Sequence, residues 1–250
     1  MYEFLKKVRE YELELALKYF PDKGKMLEIG AGAGWQAKTI ATFGYEVEAI
    51  DVQDSRYNDV REWPVTIYDG CKIPFPDNYF DIIYSSNVLE HIESIVAFQL
   101  EMQRVLKDSG VAIHILPSAA WRFWSIVTFY PYIFLTGIKY ITNHVLRNRP
   151  TQSSNYEKLN KLSKINLLKI ILFPARHGER GNMFSELIYF SKSSWERLFR
   201  NTGWIVRSII PCNIMYSGNS IFGTRISIEK RIFLSRFLRS SSYIYILHKQ

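Results

Sequence analysis

With 250 residues, of which 47% are hydrophobic, 15% aromatic and 22% charged, the chain can bury a full core, which excludes a disordered or low-complexity protein. Two cysteines, Cys71 and Cys212, exclude a disulfide framework and a cysteine-based zinc cluster. The formal net charge of +8 is unevenly divided: residues 1–118 carry 12 Lys/Arg against 19 Asp/Glu, a net −7, and residues 119–250 carry 20 against 5, a net +15.

The first twenty residues are charged throughout and lack the apolar core of a secretory signal, so a reducing, cytoplasmic setting is expected. They read instead as an amphipathic helix over 3–20, stopped by Pro21 and Gly24. "KMLEIG" predicts a short buried strand, "WQAKTIATFG" a helix closed by Gly44, and "EVEAID" a second strand. "PVTIYDG" predicts a third strand and "FDIIYSS" a fourth. "SIVAFQLEMQRVLKDSG" has helical spacing with a glycine stop, and "GVAIHILP" predicts a fifth strand ended by Pro117. Five strands alternating with helices argue for a doubly wound, mostly parallel α/β sheet.

The rhythm breaks at residue 119. Residues 119–190 hold an aromatic segment, a basic polar helix and a loop. It resumes with "SKSSWERLFRNTGWIVRSIIP", where Ser191 or Ser193 would cap a helix, Glu196 would complete a capping box with Ser193, and Gly203 would end it. "WIVRSII" and, after a basic stretch at 229–239, "SYIYILHK" predict a sixth and a seventh strand. The expected organisation is a Rossmann-like core over 1–118, an aromatic and basic insertion over 119–190, and a segment over 191–250 that completes the sheet.

The candidate ligand loop is "LEIGAGAGW", with Gly30, Gly32 and Gly34 evenly spaced after the first strand. Such a turn lets backbone N–H groups and a helix N-terminus approach a ligand closely. A dinucleotide fingerprint would place its third glycine where Trp35 stands, which argues against NAD and FAD. Asp51 closes the second strand 21 residues after Gly30, where a carboxylate can accept ribose hydroxyls. Asp69 ends the third strand, where it could accept an adenine amino group, with Cys71 and Ile73 against the ring.

"LEIGAGAGWQ", "AIDV", "YDGCKIPFPDNYFDIIYSSNVLEHI" and "VLKDSGVAIHILPS" together resemble the successive motifs of class I S-adenosylmethionine-dependent methyltransferases, in the subgroup with a "PFPDNYFD"-type motif. The resemblance covers roughly residues 24–118. It implies a seven-stranded sheet with an antiparallel last strand. It also implies S-adenosylmethionine as cofactor: Glu28 near the methionine amino group, Gly30, Gly32 and Gly34 along the methionine and ribose, and Asp51 and Val52 at the ribose. Asp69, Gly70 and Cys71 would lie at the adenine and Asn87 over the methionine end. Asp81 begins its strand, opposite the pocket, and reads as structural; His114 reads as a core histidine.

A hydroxyl acceptor of the methyl group also needs a general base. His91 follows the fourth strand, and His177 and Glu179 occupy the polar loop "FPARHGERGN". These three are the candidate catalytic residues. No sequence cluster of carboxylates or histidines demands a metal.

"FWSIVTFYPYIFLTGI" runs uncharged over 123–138, below the ~18–20 residues needed to span a bilayer, and Pro131 interrupts it. It reads as a lid over the site or as a membrane-interface element bearing Trp121, Phe123, Trp124, Tyr130 and Tyr132, followed by Lys139, Arg147 and Arg149. The layout also loosely resembles methyltransferases of bacterial surface-glycan assembly. The resulting expectation is O-methylation of a sugar or lipid-linked glycan, cytoplasmic or peripheral on the inner membrane face. The alternatives are a soluble small molecule or quinone-like lipid as acceptor, or a non-catalytic binding module. Base-flipping motifs are absent from the sequence, so nucleic acid is not expected as substrate.

Overall fold

Runs that are apolar without polar alternation become the central strands, as burial on both faces demands. The computed structural model describes residues 2–53, 61–144, 173–219 and 223–250. In chain order the elements are α1 (Tyr2–Leu17), β1 (Lys25–Ile29), α2 (Trp35–Ala41), β2 (Glu46–Val52), β3 (Thr66–Tyr68), β4 (Phe80–Ser86), α3 (Ile95–Val105) and β5 (Leu106–Pro117). They continue with α4 (Ala119–His144), α5 (Ser185–Tyr189), α6 (Lys192–Asn201), β6 (Trp204–Pro211), α7 (Ile228–Leu238) and β7 (Ser242–Lys249). Met26–Ile29 of β1, Ile82–Ser85 of β4 and Gly110–Pro117 of β5 are wholly buried.

The seven strands form one sheet in the order β3-β2-β1-β4-β5-β7-β6. β1, β2, β3, β4 and β5 pair in parallel. β7 inserts between β5 and β6 and is antiparallel to both, with His114 opposite Tyr245. The chain winds outward through β1, β2 and β3, then returns to the other side of β1 with β4. This reversal opens a crevice at the carboxyl ends of β1 and β4, where doubly wound sheets hold their ligands.

The architecture agrees with the expected fold, and several local features differ. α3 stops at Val105, because Leu106 turns extended and pairs with Phe80 of β4. Ser191 caps α6 by accepting the Ser194 amide, while Glu196 pairs with Arg200 at 2.9 Å, so no capping box forms on Ser193. The basic stretch at 229–239 is largely helix α7, whose Arg231 is buried and donates to the carbonyls of Met215, Gly223 and Ile226. α4 continues through Pro131 rather than breaking there. Interior proline commonly costs a helix about 3 kcal/mol, so packing elsewhere along α4 outweighs the local preference.

α1 is tied to the far side of the sheet by a buried polar network. Arg9 and Tyr216 both bond Glu12, and Ser242 donates to the same carboxylate. Asp81 accepts the Lys25 amide at 2.9 Å and the Lys107 ammonium at 2.7 Å, at the amino end of β4, as its structural reading required. His114 is fully buried, with Nδ1 2.8 Å from the Ser85 hydroxyl, and burial pushes its pKa down to about 3. No helix among the described residues is long and apolar enough to cross a membrane. Arg147, Arg149 and the basic residues of 151–172 lie outside the described residues, as does the side chain of Lys139.

Candidate active site

A cleft of about 700 Å³ lies over the carboxyl ends of the parallel strands, lined by Gly30, Gly32, Asp51, Asp69, Asn87 and His91, among others. Each of these residues occupies the end of a strand or the turn just after it. The glycine loop comes within van der Waals reach of the β4 turn. Gly30 has φ +71°, and a Cβ there would lie 2.4 Å from Cγ2 of Val88, so the approach requires glycine. Gly32 donates its amide to Asp51 Oδ2 at 2.9 Å, and Val52 donates to Oδ1 at 2.8 Å. Since a carboxylate offers about four acceptor positions, Asp51 organises the loop and keeps capacity for ligand hydroxyls.

On the other wall, Asp69 Oδ1 accepts the amides of Cys71 and Lys72, both at 2.8 Å, and these bonds hold its carboxyl below the usual range. The turn places Gly70 and Cys71 along the cleft, beside Val52 at the end of β2. Ile73, expected against a ligand ring, is instead wholly buried in the core, and its amide donates to Glu101. Gly34 also lies outside the cleft lining: it precedes α2 with φ +76° and packs on Trp63. Glu28 is buried beneath the loop, and Oε2 has no hydrogen-bond partner among the described residues. Burial, reinforced by Asp51, pushes its pKa up to about 8.

At the end of β4, Asn87 takes a left-handed conformation with φ +56°, which asparagine tolerates better than most side chains, and its amide donates to Ile115. The short 3₁₀ turn Leu89–His91 follows. It turns Leu89 and Glu90 inward and leaves His91 exposed at the cleft.

The segment after residue 173 docks on this turn. Gly178 lies so close to the Glu90 carbonyl that a Cβ would be 2.6 Å from it, and the Glu179 amide donates to the same oxygen at 3.0 Å. Glu186 of α5 accepts the His177 and Gly178 amides at 2.7 Å each, while its other oxygen is 2.8 Å from Nε of Arg122 on α4. Arg122 also donates to the Ala175 carbonyl. Both charged side chains are buried, so α4, α5 and the loop are held as one unit.

The two histidines separated by 86 positions in sequence meet there, with ring centroids 4.8 Å apart in an edge-to-face arrangement. Trp121 packs on His177 at 4.5 Å and is itself buried, which for this residue fits the lid alternative and not the membrane-interface one. Trp124 is half-buried and donates to the Leu238 carbonyl, whereas Phe123, Tyr130 and Tyr132 are exposed. Burial lowers the pKa of both histidines, and for His177 the neighbouring His91 and Arg122 add to the effect. Both rings are therefore neutral near pH 7, and His177, lowered to about 3, holds a proton far less readily than a free imidazole. Glu179 forms an ion pair with Arg176 at 3.0 Å, and its charge partly offsets the lowering of the His91 pKa.

Glu90 lies beneath the pair, and its burial was not foreseen from the sequence. Its Oε1 is 3.8 Å from His91 Nε2 and 4.0 Å from His177 Nε2. Tyr68 and Phe98 also line the cleft unforeseen; Phe98 falls on the buried stripe of α3, a signal the sequence does carry.

Residues 27–114 match the family described as "Methyltransferase domain". Over its whole length the chain is similar in structure to a SAM dependent methyltransferase from Archaeoglobus fulgidus, with TM-score 0.57 and 16% identity, covering 98% of this chain and 94% of that one. A possible histamine N-methyltransferase from Thermotoga maritima gives TM-score 0.56 and 14% identity, covering 100% and 92%. The fold is that of an S-adenosylmethionine-dependent methyltransferase. S-adenosylmethionine is accordingly the cofactor that fold and domain match together imply.

Among curated proteins, a Ubiquinone biosynthesis O-methyltransferase from Rickettsia canadensis is 25% identical over 62% of this chain and 65% of its own length. A Ubiquinone/menaquinone biosynthesis C-methyltransferase from Cupriavidus taiwanensis is 32% identical over 39% of this chain and 45% of its own. The chain thus spans less than two thirds of these relatives. Two features fit the cofactor: the glycine turn leaves the space a Cβ at Gly30 would fill, and beneath it Glu28, outside the cleft lining itself, keeps an orphaned buried carboxylate oxygen that suits a cationic amino group.

Proposed function

We propose that the chain methylates a hydroxyl of an amphipathic acceptor, with S-adenosylmethionine held by Glu28, Gly30, Gly32, Asp51, Asp69 and Asn87. When bound, the cofactor supplies a methyl group on a sulfonium leaving group. The chain's residues orient the acceptor and exclude water, and His91, which lines the cleft, takes up the acceptor's proton. Orientation alone can be worth roughly 7–11 kcal/mol of barrier. The observation that carries this reading is the place of His91 in the wall of the cleft, with the His177 ring packed against it at 4.8 Å.

A quinone-like aromatic lipid is the favoured acceptor. The similarity to quinone-biosynthesis methyltransferases supports it. So does an exposed apolar groove between α4, α5 and α7, lined by Phe123, Leu187, Phe237 and Arg239, which suits contact with a membrane surface. A phosphate-bearing lipid-linked glycan is the second reading, favoured by the net charge of +15 over 119–250.

The test is methyl transfer from radiolabelled S-adenosylmethionine to a catechol-type quinone precursor or to a polyprenyl-phosphate-linked sugar, each presented in anionic vesicles. Label in the quinone precursor supports the first reading, and label only in the glycan replaces it with the second. Label in neither, despite cofactor binding, would overturn both.

A further inference from the structure

Beneath the histidine pair, Glu90 presents a feature that a proton acceptor alone does not require. Its residue is only 5% exposed, and neither carboxylate oxygen has a hydrogen-bond partner among the described residues. A buried polar group without a partner costs about 1–3 kcal/mol, and more if charged, so such a group in a native fold calls for a reason. The rings of His91 and His177 face it, with Nε2 atoms 3.8 and 4.0 Å from Oε1, too far for hydrogen bonds.

Three ligand atoms, one from each residue, all lie within 4.8 Å of one another. Around an ion with bonds of about 2.0–2.2 Å, neighbouring ligands stand roughly 3–3.5 Å apart. The three atoms would therefore have to draw together by between about 0.3 and about 1.8 Å. The two imidazoles are able to do this, since His91 and His177 keep 42% and 36% of their side-chain surface open to solvent.

We infer that Glu90, His91 and His177 form a binding site for a divalent transition-metal ion at the acceptor end of the cleft, in a two-histidine, one-carboxylate arrangement. That donor set suits zinc, iron(II), cobalt(II) or manganese(II) and leaves coordination positions open on the side away from Glu90. One open position would take the acceptor hydroxyl. The ion would lower the hydroxyl's pKa, its proton would leave to solvent, and the oxygen would be presented as an oxyanion to the methyl carbon. In the metal-bound form the histidines hold the ion instead of the proton. The assignment of the hydroxyl to this ion rests on the methyltransferase reading; the ion site itself does not.

The fold supplies the second sphere. The Gly178 amide and the Arg122 guanidinium grip Glu186, and this fixes the backbone on which His177 is carried. The Glu90 carbonyl is held by the Glu179 amide, so the two chain segments that bear the ligands are bonded to each other.

The test uses the full-length chain, free of any histidine tag, titrated with cobalt(II) alone at pH 7.5. Equilibrium dialysis gives stoichiometry, and visible ligand-field absorbance reports the coordination. The expected result is one equivalent bound, with the absorbance lost on competition by zinc. Glu90→Gln and His177→Ala should each weaken binding by at least roughly the 10–100-fold that even outer-sphere losses cause. Should Glu90→Gln fail to fold, as judged by circular dichroism, His91→Ala and His177→Ala carry the test, since both rings are partly exposed.

No stoichiometric cobalt binding, or equal binding by the wild type and the histidine variants, would overturn the site. Calorimetry with S-adenosylmethionine on the same samples separates the two claims. Cofactor binding without cobalt binding overturns the ion site alone. Cobalt binding without cofactor binding supports the ion site and overturns the methyltransferase reading.

Discussion

Glu186→Gln tests how the acceptor side of the site is assembled. The substitution keeps the shape of the side chain and an oxygen that can accept the His177 and Gly178 amides. It removes the negative charge 2.8 Å from the Arg122 guanidinium, which is 4% exposed and whose nearest carboxylate is this one. Breaking a buried pair by removing one partner typically costs about 3–5 kcal/mol, because the remaining charge is left uncompensated. Against a total stability of about 5–15 kcal/mol, that is enough to undock the loop before the sheet unfolds.

Hydrogen exchange read by mass spectrometry should therefore show residues 175–190 losing protection while β1 and β4 keep theirs. Cofactor affinity should stay within about 0.5 kcal/mol of wild type, since Gly30, Gly32 and Asp51 lie on other elements. Pairing the change with Arg122→Met, which removes the stranded cation, should restore part of the loss. Unchanged protection of 175–190 in Glu186→Gln would refute the claim that this ion pair holds His177 beside His91.

Two further outcomes follow from the cleft. Gly30→Ala combines a left-handed backbone, costing about 1–2 kcal/mol for a side-chain-bearing residue, with a Cβ 2.4 Å from Val88. Urea unfolding should show a loss of at least that size and calorimetry a weaker cofactor, with Val88→Ala recovering part of the stability; wild-type behaviour would contradict the close approach. The second concerns pH. Burial raises Glu90 from its ordinary 4.5 to about 8 in the folded state, so its contribution is fully present below pH 4.5 and is lost as pH rises toward 8. Glu90→Gln should flatten the fall in stability over that window by up to about 1.4 kcal/mol per pH unit, and an unaltered slope would show that the carboxyl is not protonated there.

The central sheet was legible because its signals are local and mutually consistent. The apolar runs of β1, β4 and β5, the glycine turn after β1 and the carboxylate closing β2 each occupy the position that a doubly wound sheet requires. The end of α3 was misplaced because Leu106 and Lys107 suit a helix in isolation, and only pairing with β4 draws Leu106 into β5. The capping box was misassigned because three serines offer competing caps, and Ser191 alone takes the extended geometry a cap needs.

His91 and His177 could be selected singly as polar residues near strand ends or in a glycine-bracketed loop, but their contact could not. It depends on Glu186 and Arg122, which lie 9 and 55 positions from His177 and meet only when α4 and α5 pack. Glu90 was overlooked for a related reason. In "LEH" the histidine attracts attention, and only the 3₁₀ turn shows that the glutamate is the buried member. Part of the positive charge on the second half proved structural, with Arg122 and Arg231 buried in polar networks rather than facing an anion.

Calorimetric titration of S-adenosylmethionine into the wild type and into Asp51→Asn is the most direct measurement of what the glycine loop and its carboxylate do. Hydrogen bonds to a charged group contribute about 1.5–3 kcal/mol, so the account predicts one equivalent bound by the wild type and about tenfold or more weaker binding by a folded Asp51→Asn. No binding to the wild type, or equal affinity in the two proteins, would contradict it.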